Sequence, residues 1–169
     1  MKKLFAAVLT LALASSAMAA GNLGVEFGSN WYKVSYTSDL GDHLQGQGQN
    51  FALTWGLDNE LSLGTFMESG RWVYASTSYN DWDIVAIQIA KGLVKNVAAG
   101  VNIGSMNNDY DSAGRGLLVD VFGSVVLVGG AGDKVSGVLK STVAARYNRD
   151  QYQTNFSGVN VNLVVGVSF

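Results

Sequence analysis

A chain of 169 residues is long enough for one domain and too short for two comfortable ones, and without cysteine it has neither a disulfide framework nor a thiol for a lipid anchor. Only 14% of its residues are charged and the formal net charge is −2, which disfavours nucleic acid as a partner. It has 21 glycines and no proline, which suits a chain that is nearly all ladder-bonded strand, because each proline removes a backbone donor.

The start of the chain reads as a targeting segment. Lys2 and Lys3 precede an apolar run from Leu4 to Ala14, and Ala17-Met18-Ala19 supplies the small residues a signal peptidase accepts. The expected division is a cleaved signal peptide at 1–19 and a barrel domain at 20–169. Loss of Lys2 and Lys3 leaves the thirteen acidic residues in clear excess over the remaining basic ones. The leader is shorter than the ~20 apolar residues of a helical span, and no later run approaches that length. A mature chain resident in a membrane must therefore cross it as a closed barrel.

In the first mature segment, Leu23 to Tyr36, Val25 and Phe27 share a face with Tyr32, Val34 and Tyr36 if a bulge near Gly28–Asn30 inserts one residue, leaving Glu26 and Lys33 opposite. Thr37 to Gly48 is rich in Gly, Asp and Gln and reads as a loop. Phe51, Leu53, Trp55 and Leu57 define a second strand, and Asp58-Asn59 a two-residue hairpin connection. Leu61, Leu63, Thr65 and Met67 open a third, carried on through Trp72 and Tyr74 by a second parity slip near Ser69-Gly70. Tyr79 to Asp83 reads as a short turn-back.

Val85, Ile87 and Ile89 mark the fourth strand, opposed by Ala86, Gln88 and Ala90, and Val94 to Asn96 makes a tight connection. Val97, Ala99, Val101 and Ile103 give the fifth, opposed by Ala98, Gly100, Asn102 and Gly104. After a polar loop at Ser105 to Arg115, Val119, Val121, Val125 and Leu127 form the outer row of the sixth, with Asp120, Phe122 and Ser124 opposite. Gly129 to Asp133 turns the chain back. Leu139, Val143, Ala145 and Tyr147 alternate with Lys140, Thr142 and Arg146 in the seventh. The last loop, Asn148 to Ser157, leads to Val159, Val161, Leu163, Val165, Val167 and Phe169, which alternate with small or polar residues apart from Val164.

That makes eight strands, with connections that alternate broadly between long and short, as in barrels with short periplasmic turns and longer outside loops. The closing strand, with alternating apolar positions that include Val165 and Val167 and a terminal Phe169, resembles the C-terminal strand of bacterial outer-membrane barrels, where this pattern is the assembly signal. On length, alternation, leader and terminal Phe, the chain from about Leu23 to Phe169 resembles the small barrels typified by OmpX and the OmpA transmembrane domain. The resemblance implies an all-β, eight-stranded, antiparallel up-and-down transmembrane β-barrel integral to the cell outer membrane. Its implied partners are outer-membrane lipid, lipopolysaccharide and the barrel-assembly machinery.

Parity alone does not separate this barrel from a soluble lipocalin-like one, but the polar face does. A wet exterior would carry many Lys and Glu; here that face is mostly Gly, Ala, Ser, Thr and Asn, which fit the inside of a narrow barrel. Tyr36, Trp72, Tyr74, Tyr79, Trp82 and Tyr147 fall near outer strand ends and Trp55 and Phe169 near periplasmic ends, the two aromatic belts of a membrane barrel. Charges of both signs gather on the lumen face: Glu26, Lys33, Glu68, Asp120, Lys140 and Arg146. Lys33, Glu68, Asp120 and Arg146 are expected at similar height in the outer half, as an ion-pair plug with Arg146 as its hub.

Other chemistries are weaker. The sole histidine, His43, lies beside Asp42 in a Gly/Gln-rich loop with no scaffold to hold a triad, so no catalytic residue is assigned. Gly129 to Lys134 lacks the phosphate-loop spacing and reads as a turn. Asn107, Asp109 and Asp111 resemble the start of a calcium loop, but Ser112 stands where the glycine belongs and Leu118 where the terminal carboxylate belongs. No cofactor or metal is expected. The expected role is structural or surface interaction, displaying loops on a filled barrel; the alternatives are a narrow channel for ions or small solutes and, third, a lipid A-modifying enzyme.

Overall fold

The computed structural model describes residues 23–34, 45–57, 60–74, 77–108, 114–131, 136–150 and 156–168. Eight strands, β1 (Leu23–Val34), β2 (Gln45–Gly56), β3 (Leu61–Tyr74), β4 (Thr77–Val94), β5 (Val97–Asn108), β6 (Arg115–Ala131), β7 (Ser136–Asp150) and β8 (Gly158–Ser168), follow one another around a closed barrel. Every neighbouring pair is antiparallel, and β8 closes on β1 from Gly24↔Ser168 to Val34↔Gly158. Closure gives every strand a neighbour on both sides. This is the fold class of the eight-stranded transmembrane β-barrel. The signal-peptide segment 1–19 lies outside the described residues.

Period-2 alternation decides inside from outside. Val85, Ile87 and Ile89 of β4, Val121 and Val125 of β6, Val143 of β7 and Val161, Leu163 and Val165 of β8 point outward and are exposed, while Gln88, Asn102, Asp120, Asn160 and Asn162 on the opposite parity are buried. Unlike a soluble protein, the barrel carries apolar rows on its surface and polar side chains among those that fill its centre. The β4–β5 connection is a tight turn in which Asn96 has φ 68°, a left-handed conformation that asparagine tolerates.

Both expected parity slips are absent. β1 pairs in unbroken register with β2 and with β8, which leaves no room for an extra residue between Gly28 and Asn30. Tyr32 and Val34 consequently point inward, and Lys33 points outward. β3 likewise pairs with β2 without a break from Gln45↔Val73 to Gly56↔Ser62, so Trp72 stays in the inward row of Phe66 and Glu68. The irregularity lies on the other seam, where Arg71↔Asp81 is followed by Trp72↔Tyr79 and the extra residue belongs to β4.

The strands also run further than expected. Gln45 to Gly48, Tyr79 to Asp83, Ser105 to Asn108, Gly129 to Ala131 and Asn148 to Asp150 are ladder-bonded strand rather than loop or turn. Their polar composition reflects what surrounds the side chains, since the backbone is paired with at least one neighbouring strand. The β2–β3 connection spans 57–60 rather than two residues and is closed by a hydrogen bond from Leu57 N to Leu61 O at 2.8 Å.

Candidate functional site

One row of paired residues supplies most of the lumen chemistry. Gln88 of β4 faces Asn102 of β5, Asn102 faces Asp120 of β6, and Asp120 faces Arg146 of β7, all four directed inward. The Arg146 guanidinium grips two carboxylates with two hydrogen bonds each. Nε and Nη2 donate to Asp120 Oδ1 and Oδ2 at 2.8 and 3.0 Å, while Nη1 and Nη2 donate to Glu68 Oε1 and Oε2 at 2.7 and 3.1 Å. Glu68 also accepts from Trp82 Nε1 at 3.0 Å and from Asn160 Nδ2 at 2.9 Å, and Asp120 Oδ2 accepts a longer bond from Asn102 Nδ2 at 3.4 Å. The Tyr32 ring lies 4.7 Å from the guanidinium carbon, a cation–π contact. Burial of the three ionised side chains is essentially complete, so these bonds offset a desolvation penalty of several kcal/mol per ion.

Above this cluster sits an aromatic lid. Tyr32, Trp72 and Trp82 pack with ring centroids 4.5 to 6.0 Å apart, and Phe156 stacks on Trp72 at 5.8 Å. Phe156 precedes β8 and is fastened on two sides: the Tyr32 hydroxyl donates to its carbonyl, and its own N–H donates to Asn148 O at 3.0 Å. Trp72 Nε1 donates to Asn108 Oδ1 at 2.9 Å, which satisfies the indole that burial would otherwise strand. Val34, Ile84, Met106 and Leu118 fill the remaining space. Trp82 needs glycine beneath it, because a Cβ at Gly46 or Gly70 would stand 2.4 or 2.3 Å from its ring.

Below the cluster the lumen is looser. Lys140 Nζ meets Glu26 Oε1 at 2.6 Å with both side chains partly exposed, and Asn50 Nδ2 donates to Asn162 Oδ1 at 2.7 Å. Between them lies a cavity of about 20 Å³, lined by Gln88, Asn102, Asp120, Phe66 and Phe122 among others. That is room for roughly one water molecule and for no solute. The Asn102 Oδ1 lining it has no partner among the described residues, and such a water would satisfy it.

Of the residues read as a lumen network, the structure places Glu26, Glu68, Asp120, Lys140 and Arg146 inside. It brings Glu68, Asp120 and Arg146 together and keeps Glu26 with Lys140 as a separate pair. Lys33 is corrected to the outer surface, because β1 carries no bulge. Of the aromatic belts, Tyr147 points outward and is exposed, and Trp55 lies on the outward parity of β2, partly covered. Trp72 and Trp82 are corrected to the lumen, where they form the lid. Tyr36 lies outside the described residues, as do the side chains of Tyr74 and Tyr79. Val165 and Val167 point outward, and Phe169 lies outside the described residues, as do His43, Asp109, Asp111 and 132–135.

Sequence reading missed Tyr32 and Phe156 in the lid and the outward Trp31. The unbroken alternation Ser29, Trp31, Lys33 against Asn30, Tyr32, Val34 was the available signal for two of them. Phe156 carried none, since its burial depends on contacts that close across the barrel.

No protein-family model matches the chain, and no curated protein matches it. Among solved structures, the chain is similar to the crystal structure of Neisserial surface protein A (NspA), with a TM-score of 0.50 and 13% sequence identity over 86% of this chain and 94% of that one. At that identity the likeness extends to the fold, a barrel shared along nearly the whole of both chains.

Proposed function

We propose that this chain is an integral barrel of the bacterial outer membrane, exported by its signal peptide, whose lumen is closed and whose role is structural or surface interaction. The single observation that carries the closed lumen is Arg146, held by two hydrogen bonds to each of two buried carboxylates directly beneath a lid of Tyr32, Trp72, Trp82 and Phe156. A pore requires a continuous wet path, and an eight-stranded barrel has just enough interior for its side chains to fill. Outward apolar rows on most of the strands support the membrane location, and the name of the similar surface protein agrees with display at the cell surface. Outer-membrane lipid, lipopolysaccharide and the barrel-assembly machinery are the partners of this reading, as for the small barrels of the OmpX kind.

No residue is assigned a catalytic role. The buried carboxylates Glu68 and Asp120 are both committed to Arg146, which leaves neither as a free acid or base for lipid A chemistry. The channel reading rests on the lower cavity, whose volume is that of a water rather than a conduction path. Planar-bilayer recording of the refolded protein is the test. Absence of steady conductance is expected, with Arg146→Ala either unfolding the barrel or opening a small leak; stable conductance unchanged by Arg146→Ala would replace the closed barrel with a channel.

A further inference from the structure

The outer surface of the barrel is uneven near the rim to which the Arg146 side of the lumen points, and the unevenness follows charge. On β1, β6 and β7, an exposed cation stands one outward position beyond a large exposed apolar side chain: Lys33 beyond Trp31, Arg115 beyond Leu117, and Arg149 beyond Tyr147. Register sets them on one flank. Leu117 faces Arg149 across β6–β7, and Lys33 faces Val159 of β8, which in turn faces Ala145 of β7. No salt bridge engages Lys33, Arg115 or Arg149 among the described residues.

The opposite flank differs at the same level. There β2 presents Gln45, Gln47 and Gln49, while β3 and β4 present Ser69, Arg71, Asp81 and Asp83. Arg71 is paired with Asp81 at 3.0 Å, and Ser69 donates to Asp83 at 2.7 Å. One half of the rim is therefore polar, its one cation paired with a carboxylate, whereas the other joins cations without a salt bridge among the described residues to apolar rows that continue down β6, β7 and β8.

From this we infer that the β6–β7–β8–β1 flank is a docking surface for the lipid A part of lipopolysaccharide. Arg149, Arg115 and Lys33 receive its phosphate groups, and its acyl chains lie along Leu117, Tyr147 and Val159. Three cations near one anionic headgroup plane add attraction that falls off within a Debye length, and guanidinium suits phosphate because its donors form a planar fork. An uncharged lipid would leave the cations without counter-ions. A soluble anionic protein would leave the apolar rows in water.

The inference rests on the outer-membrane reading, and the test separates the two. The full mature chain is refolded into nanodiscs of phosphatidylcholine carrying bis-phosphorylated lipid A, dephosphorylated lipid A or phosphatidylglycerol as the minor component. Native mass spectrometry reads the lipid retained. Preferential retention of bis-phosphorylated lipid A is expected, weakened roughly fivefold by each of K33Q, R115Q and R149Q and on the order of a hundredfold by the triple variant. R71Q should leave it unchanged, because Arg71 already has a carboxylate partner. Equal retention of dephosphorylated lipid A, equal retention of phosphatidylglycerol, or full retention by the triple variant would each overturn the docking surface. Failure of the wild-type chain to fold into any of the bilayers would instead overturn the membrane reading and the inference with it.

Discussion

Arg146 illustrates how a single side chain sets the character of the interior. It is the one cation between two buried carboxylates, so its loss leaves two uncompensated negative charges where water is excluded. Arg146→Ala is expected to destabilise the barrel by about 3 to 5 kcal/mol, measured as the urea midpoint of protein refolded in vesicles. Replacing the whole cluster with apolar residues, Arg146→Met with Glu68→Leu and Asp120→Leu, should recover most of that loss, because no ion remains to be desolvated. Equal destabilisation by the single and triple variants would mean that the guanidinium acts through shape rather than charge. The Glu26–Lys140 pair, being partly exposed, should matter much less: Lys140→Met is expected to cost under ~1 kcal/mol.

At the scale of strands, two faces of the same ladder answer to different solvents. The inward face of β3 is shaped by Trp82, whose ring lies against Gly70; a larger residue there has nowhere to go. Gly70→Val is expected to cost about 1 to 3 kcal/mol through overpacking, whereas Gly123→Val on the outward face of β6, where an added Cβ meets nothing, should be tolerated. Near-UV circular dichroism of the indoles, with the urea midpoint, distinguishes the two. The outward face has its own rule, which is depth. Val143→Arg in the apolar band of β7 should cost roughly 2 to 4 kcal/mol, while Gln47→Arg on the polar upper part of β2 should cost almost nothing, read as refolding yield and midpoint in lipid. Equal costs would show that the band is not a lipid face.

The whole molecule depends on closure. β8 pairs with β7 and with β1 along its full length, so the last strand to be made completes two seams at once. Deletion of Phe169 is expected to lower the amount of heat-modifiable barrel in the outer-membrane fraction without impairing export across the inner membrane. Normal levels of folded barrel in that fraction would separate closure from the C-terminal pattern. The charge arrangement also belongs to this scale. The inside is an ion cluster under an aromatic lid, and the outside near that end divides into a flank where Arg71 meets Asp81 and one that presents Lys33, Arg115 and Arg149, so a closed barrel still carries a directional surface.

Period-2 alternation was enough to read the strand number, the antiparallel order and the outward side of β4 to β8, because one face of each strand meets a single kind of surroundings and the residues record it. Val85, Ile87 and Ile89 against Ala86 and Gln88 needed no partner strand to be read. What only the tertiary structure decided was the direction of side chains whose chemistry suits either face. Tyr32, Trp72 and Trp82 are aromatic enough for a lipid interface and polar enough, through a hydroxyl or an indole N–H, for the lumen. They point inward because the registers of β1 and β3 are held by neighbours on both sides, and because Phe156, Asn108, Glu68 and Arg146 converge on them from strands distant in sequence. The same holds for Lys33, a charge that local pattern placed inside through a bulge, and that an unbroken ladder between β2 and β8 turns outward.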